Sequence, residues 1–202
     1  SLTAKIDETH FLVAGTNGTN LYVQVATITD GVISYGTLNS VAETSHIESL
    51  SYVVSENVWV TALYTNQIRY GRLTNNDTSS FGTFDPSVGG NVKSLTMFDT
   101  YKPDTLVMMF IFSSPYYVFL DISDFNAWTE VKAPQQMPGL QGQVIVTTKL
   151  TSEKFASVAV NDNLETKMRV YDIDADTGDI INEGTVITLS STSKGARVLK
   201  RT

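Results

Sequence analysis

Four aspartates, Asp172, Asp174, Asp176 and Asp179, form the densest concentration of potential chemistry in this chain, with Gly178 set among them. Alternating carboxylates in a turn can direct their oxygens at one hard cation, and a glycine permits the reversal such a loop needs, so calcium is the one candidate ligand in a chain for which no cofactor is otherwise expected. Thr177 departs from the EF-hand pattern, standing where that loop requires glycine. On a strand, alternation also turns Asp172, Asp174 and Asp176 to a common side, where uncompensated they repel. The competing reading is a solvated hairpin with Asp-capped turns. Two histidines, His10 and His46, are too isolated for a His-x-His or His-Glu-x-x-His zinc pattern. No Gly-x-Ser-x-Gly elbow supports a nucleophilic serine. Asp7, Asp99 and Glu153 lie at comparable strand ends, and are the carboxylates a glycan hydrolase would draw on.

Fourteen basic against twenty-one acidic residues give a net charge of −7. That balance repels nucleic-acid phosphates and anionic lipid, so neither nucleic acid nor membrane is an expected partner. Hydrophobic residues make up 42% and charged residues 17%, a composition that folds into a core. With no cysteine there are no disulfides or thiolate metal sites. The chain begins at Ser1 without a basic, apolar leader, and its longest apolar run, Leu106 to Ile111, has strand length. The expectation is a mature or excised segment.

Two Asn-x-Thr sequons, at Asn17 and Asn76, fall in predicted hairpin tips, where a glycan projects without disturbing a core. Tyr101, Tyr116, Tyr117 and Trp128 are candidates for stacking on sugar rings, with the blade core as the competing place for Trp59 and Trp128.

The elements that must position these residues recur. Val25 to Gly31 leading to Ser34-Tyr35-Gly36-Thr37 returns as Gly71 to Asp77 leading to Ser80-Phe81-Gly82-Thr83. It returns again as Leu120 to Asp124 leading to Ala127-Trp128-Thr129-Glu130, and as Tyr171 to Asp176 leading to Asn182-Glu183-Gly184-Thr185. Anchored on Ile28, Leu73, Ile122 and Ile173, the spacings are 45, 49 and 51 residues, the length of a propeller or solenoid unit. Each repeat holds four strand-like runs. The second is richest in apolar residues, as in Val58 to Leu63 and Leu106 to Ile111, and is expected to be buried on both faces. The prediction is an all-β fold of four tandem four-stranded antiparallel blades, in repeats of about 1–46, 47–90, 91–140 and 141–192 within one domain. Residues 193–202 read as a surplus C-terminal strand. Two tandem sandwiches are the alternative, opposed by the four-fold recurrence.

This pattern resembles the β-propeller superfamily, and the hairpin Tyr171 to Gly178 is similar to that of many bacterial propeller repeats. No Trp-Asp dipeptide ends a strand and no sialidase-type Ser-x-Asp-x-Gly-x-Thr-Trp box occurs, so no subfamily's activity carries over. The surplus strand, with Arg197, Val198, Leu199 and Lys200, is a candidate interface: paired with the exposed edge of another copy, it generates a head-to-tail polymer. The expected function is a non-enzymatic extracellular or cell-surface repeat module, structural or adhesive, whose partners are other copies or neighbouring repeats. A lectin-type propeller binding glycans is the alternative, and a propeller glycoside hydrolase the lesser one.

Overall fold

A computed structural model describes residues 1–65, 67–74, 77–88, 91–111, 114–142, 144–161 and 163–190. Among them there is no helix, and every strand belongs to one of four antiparallel sheets, within each of which the first four strands follow chain order. The first sheet comprises β1 (Leu2–Lys5), β2 (His10–Thr16), β3 (Asn20–Thr29), β4 (Val32–Tyr35) and β5 (Asn39–Ala42). The second comprises β6 (Ile47–Val53), β7 (Val58–Leu63), β8 (Ile68–Thr74) and β9 (Asp77–Phe84). The third comprises β10 (Lys93–Asp99), β11 (Thr105–Ile111), β12 (Pro115–Asp121), β13 (Thr129–Glu130) and β14 (Gln135–Gln136). The fourth comprises β15 (Val144–Thr151), β16 (Lys154–Val160), β17 (Thr166–Asp174), β18 (Asp179–Glu183) and β19 (Ile187–Ser190). The expected set of four-stranded antiparallel sheets is therefore present. The surplus strand assigned to 193–202 lies outside the described residues.

In three sheets the fourth position is split. β4 and β5 both pair with β3, β13 and β14 with β12, and β18 and β19 with β17, whereas β9 is one strand along β8, with a register shift at Gly71/Arg72. The sequence reading expected one outer strand per repeat. Short connectors such as Gly36-Thr37-Leu38 break the ladder without changing sheet order.

One backbone hydrogen bond recurs in every sheet. The amides of Ile28, Leu73, Ile122 and Ile173 donate to the carbonyls of Thr9, Asn57, Asp104 and Glu153 at 2.8, 2.8, 2.8 and 2.9 Å. These donors are the four anchors of the sequence repeat. Three residues before an anchor, Val25, Phe119 and Val170 accept from Gly36, Val131 and Gly184. The third repeat therefore slips by two residues against the sequence alignment: Val131, not Thr129, holds the glycine position, because the turn before β13 is longer.

The chain divides into two compact units, Ser1–Lys93 and Ser94–Thr202. The core of the first joins Leu12, Ala14, Leu21, Val23 and Val25 of the first sheet to Trp59 and Leu73 of the second. In the second unit Val107, Met109, Tyr117 and Phe119 of the third sheet pack with Phe155, Tyr171 and Ile173 of the fourth. The central strands β7 and β11 are buried at every residue, as expected for strands covered on both faces. Glu43, just beyond β5, clamps the first unit: both Nε and Nη2 of Arg69 on β8 reach its carboxylate at 3.3 Å. Burial pushes the Glu43 carboxyl up, but the Ser45 amide and Arg69 more than offset it, and the group is held below its ordinary value.

Glycine at β8 and β9 makes room for two rings. Gly71 lies opposite Trp59 and Gly82 opposite Tyr70, and a Cβ at either position would fall 2.4 or 2.0 Å from ring atoms. Gly71→Ala is expected to destabilise the first unit by about 1–3 kcal/mol through overpacking against a buried ring. Gly36→Ala is the comparison, since its Cβ would meet only the Val25 carbonyl at 3.5 Å. Urea unfolding followed by tryptophan fluorescence in a Trp128→Phe background checks this, and equal midpoints for the two variants would refute the ring-on-glycine account.

Candidate functional site

In the second unit a cleft of about 320 Å³ is lined by Tyr101, Glu153, Lys154, Asp172, Ile173, Asp174 and Ile181. It gathers residues that the sequence assigned to three separate chemistries: the calcium loop, the hydrolase carboxylates and the sugar-stacking aromatics. The turn after β10 brings Tyr101 over the end of β17. Its hydroxyl donates to Asp174 Oδ1 at 3.2 Å and accepts from the Ala175 amide at 3.0 Å. Asp174 Oδ1 also receives the amides of Asp176 and Thr177, which folds the β17–β18 turn around it.

The four aspartates do not converge. Asp172 pairs with Lys154 at 2.7 Å and accepts from Asn182 at 3.0 Å, Asp176 pairs with Lys102 at 3.1 Å, and Asp179 pairs with Lys132. Among the described residues no group of three acidic or imidazole side chains is arranged to hold a metal ion. Counted from Asp172, Glu183 is the twelfth residue, where a calcium loop carries its bidentate ligand. That carboxylate lies 2.8 Å from Nη1 of Arg169. The repulsion expected of alternating aspartates is relieved by lysines contributed from elsewhere in the fold.

Electrostatics follows the same pairing. The Lys154 hydrogen bond, with that of Asn182, holds Asp172 below the usual carboxylate range. The turn amides of Asp176 and Thr177 do the same for Asp174, and Lys132 does it for Asp179. All three carboxylates are thus held in the ionised form by donors of the chain itself.

The remaining nominated residues are dispersed. Asp7 accepts the amides of Thr9 and His10 at 2.8 Å each and sits 2.9 Å from the His10 Nδ1, which holds its carboxyl far below the ordinary value. This Asp–His contact closes the β1–β2 turn. Asp99 pairs with Lys149 at 2.7 Å. His46 is exposed just before β6. Tyr117 and Trp128 are buried and so cannot stack on a sugar, Trp59 is wholly buried, and Tyr101 is exposed. Asn17 is exposed at the β2–β3 tip, its Oδ1 accepting from the Thr19 amide and hydroxyl and its Nδ2 donating to Tyr22 at 3.0 Å. Asn76 and the stretch Arg197 to Lys200 lie outside the described residues.

A second feature was not singled out from the sequence. One face of the first sheet carries Phe11, Val13, Ala26, Ile28, Ile33 and Tyr35 around an apolar cleft of about 280 Å³. Phe11 stands two residues beyond the carbonyl of its repeat bond, as Trp59 and Phe155 do in theirs. Trp59 and Phe155 are completely buried in the cores of their units, whereas Phe11 lies on a face that opens to solvent at Ile33 and Tyr35.

Each depressed aspartate contributes stability that is complete above the ordinary carboxylate pKa of about 4 and is lost as pH falls through the lowered folded value. Lys154→Met is therefore expected to return Asp172 toward its ordinary value and to flatten the acid limb of the stability curve. Carboxyl NMR titration together with urea melts at stepped pH measures both. Calcium would have to displace lysines from three of the four carboxylates, so melting with and without a chelator is expected to give one midpoint. A chelator-sensitive midpoint would restore the calcium reading.

No protein-family profile and no curated protein sequence matches the chain. Solved structures do resemble it. Raptor of Chaetomium thermophilum aligns over 91% of this chain and 15% of its own, with 13% identity and a TM-score of 0.56. A candidate 6-phosphogluconolactonase of Bacteroides fragilis aligns over 97% of this chain and 60% of its own, with 10% identity and a TM-score of 0.60. The C-terminal WD40 domain of Sif2 aligns over 83% and 43%, with 14% identity and a TM-score of 0.49. The chain thus spans less than two thirds of each of these proteins. At such identities the likeness concerns architecture alone, and that architecture is the all-β, repeated-blade fold of the β-propeller type.

Proposed function

We propose that this chain is a non-enzymatic contact module, an extracellular structural or adhesive repeat whose surface binds protein. The observation that carries this reading is the cluster on the outer strand of the first sheet. Val32, Ile33, Tyr35 and Leu38 are 67, 55, 61 and 56% exposed within seven residues, beside the apolar cleft. Apolar exposure concentrated along one edge strand, with Ile33 and Tyr35 on the cleft face, marks an interaction surface, whereas single exposed hydrophobics need no explanation. Asp172 and Asp174 of the acidic cleft are tied to Lys154, Asn182, turn amides and Tyr101, an arrangement that favours binding over catalysis. A filament joined through the terminal strand, which rests on residues 193–202, is the competing form of the contact and would scatter as a size series beyond dimer.

A glycan-binding role has one favourable residue, the exposed Tyr101, but its hydroxyl is engaged by Asp174 and Ala175. Hydrolysis is the reading that the likeness to a candidate lactonase keeps in view, with Glu153 and Asp172 as its nearest carboxylates.

Three measurements on one preparation separate these readings: turnover of lactone and glycoside substrates, retention on a glycan array, and association followed by light scattering. The expected result is association without turnover or glycan retention. Turnover abolished by Glu153→Gln or Asp172→Asn would refute the contact reading in favour of an enzyme.

A further inference from the structure

We infer that β4 is a self-pairing edge, through which two copies of this chain join antiparallel about a two-fold axis normal to the first sheet. This rests on the reading of the 32–38 patch as a protein-contact surface and names its partner as a second copy.

Backbone direction fixes which groups of β4 face outward. Ile28 donates its amide to Thr9, on the β2 side, so the amides of Thr27 and Thr29 point toward β4. Thr27 pairs with Ser34 and Thr29 with Val32, so Val32 and Ser34 turn their amides and carbonyls inward. Gly36 keeps this phase, donating inward to Val25 at 2.8 Å. Ile33 and Tyr35 consequently point their backbone groups outward. Among the described residues no strand pairs with that side of β4. The edge has none of the usual protections: Val-Ile-Ser-Tyr contains no charge and no proline, and its pairing with β3 has no bulge.

The edge is also self-complementary. A two-fold axis normal to the sheet keeps the same face upward in both copies, so residues placed opposite each other must share a face. Ile33 and Tyr35 share the face of the apolar cleft. Centring the axis on Ser34 sets Ile33 against Tyr35 of the partner copy and Tyr35 against its Ile33. Each is an outward-pointing pair that exchanges two hydrogen bonds, and each joins a β-branched side chain to an aromatic ring, a favourable cross-strand combination. The ladder of the first sheet then continues without interruption into the second copy. The two clefts, each walled by Ile33 and Tyr35, fall side by side on one face, and those side chains cover part of each other's apolar surface. A two-fold contact closes on itself, so assembly stops at the dimer.

The absence of cysteine makes the geometry directly testable. Ser34 sits on the axis in a non-hydrogen-bonded pair, where Cα atoms approach to about 4.5 Å, within disulfide range. Under mild oxidation Ser34→Cys is expected to crosslink on the order of tenfold faster than Ser40→Cys, which is exposed on β5 away from the axis. Sedimentation of the unmodified chain is expected to show monomer and dimer only. Ile33→Lys is expected to give monomer with an unchanged far-UV spectrum. A monomeric unmodified chain, equal crosslinking at the two cysteines, or a ladder of species beyond dimer would overturn the inference. A synthetic Val-Ile-Ser-Tyr strand peptide distinguishes the two levels of the argument. If the chain is monomeric but the peptide binds and Ile33→Lys abolishes binding, self-pairing falls while the contact reading stands. If neither occurs, both fall.

Discussion

A single amide-to-carbonyl hydrogen bond, made four times, sets the terms for the rest of this structure. Ile28, Leu73, Ile122 and Ile173 each close the hairpin between the second and third strands of their sheet onto the residue that opens it. Because strand side chains alternate with a period of two, a slip of one residue would turn every side chain to the opposite face of its sheet. The bond therefore decides which residues form the core. It places Leu12 and Val25 on the buried face of the first sheet and Phe11 and Ile28 on the other, and it places Trp59 and Phe155 inside their units. The identity of the accepting residue matters little, since Thr9, Asn57, Asp104 and Glu153 all accept through the backbone. That is why the anchors recur as aliphatic residues while the turns around them vary freely.

The same distinction explains what was legible in the sequence. The anchors carry side-chain signals at repeat length, so the four sheets could be read, and the central strands announced themselves as uninterrupted apolar runs. The split outer strands could not be read in that way. β4 and β5, or β18 and β19, are short, partly exposed and joined by small connectors, so alternation is too brief to show where pairing stops and resumes. The slip in the third repeat has a similar origin. Trp128 looks like the aromatic start of a return strand, but it is buried in the turn before β13, and Val131 takes up the ladder.

The candidate site was legible as composition and not as geometry. Asp172, Asp174, Asp176 and Asp179 stand out in the sequence because they are consecutive neighbours, and neighbouring like charges suggest a cation. Their actual partners are remote: Lys132 stands 47 residues from Asp179 and Tyr101 stands 73 from Asp174. Neither separation has a sequence signature, because each contact is made by turns that adjoining sheets present to one another. Tyr101, Glu153 and Asp172 were each singled out for different chemistry, and only folding showed that they line one cleft. The apolar face of the first sheet escaped notice for the opposite reason. Its residues have the spacing of an ordinary core, and nothing in the pattern marks that face as the one left uncovered.

The interruption of the outer strand in three sheets has an engineering meaning. Residues 36–38, 131–134 and 184–186 connect two stretches that are each held to the same neighbouring strand. A segment spliced into such a connector would be gripped at both ends by ladders already in register, and its closure entropy would grow only slowly with its length. The propeller-type sheet thus offers docking points for foreign loops at its rim, built into the chain as pauses in pairing.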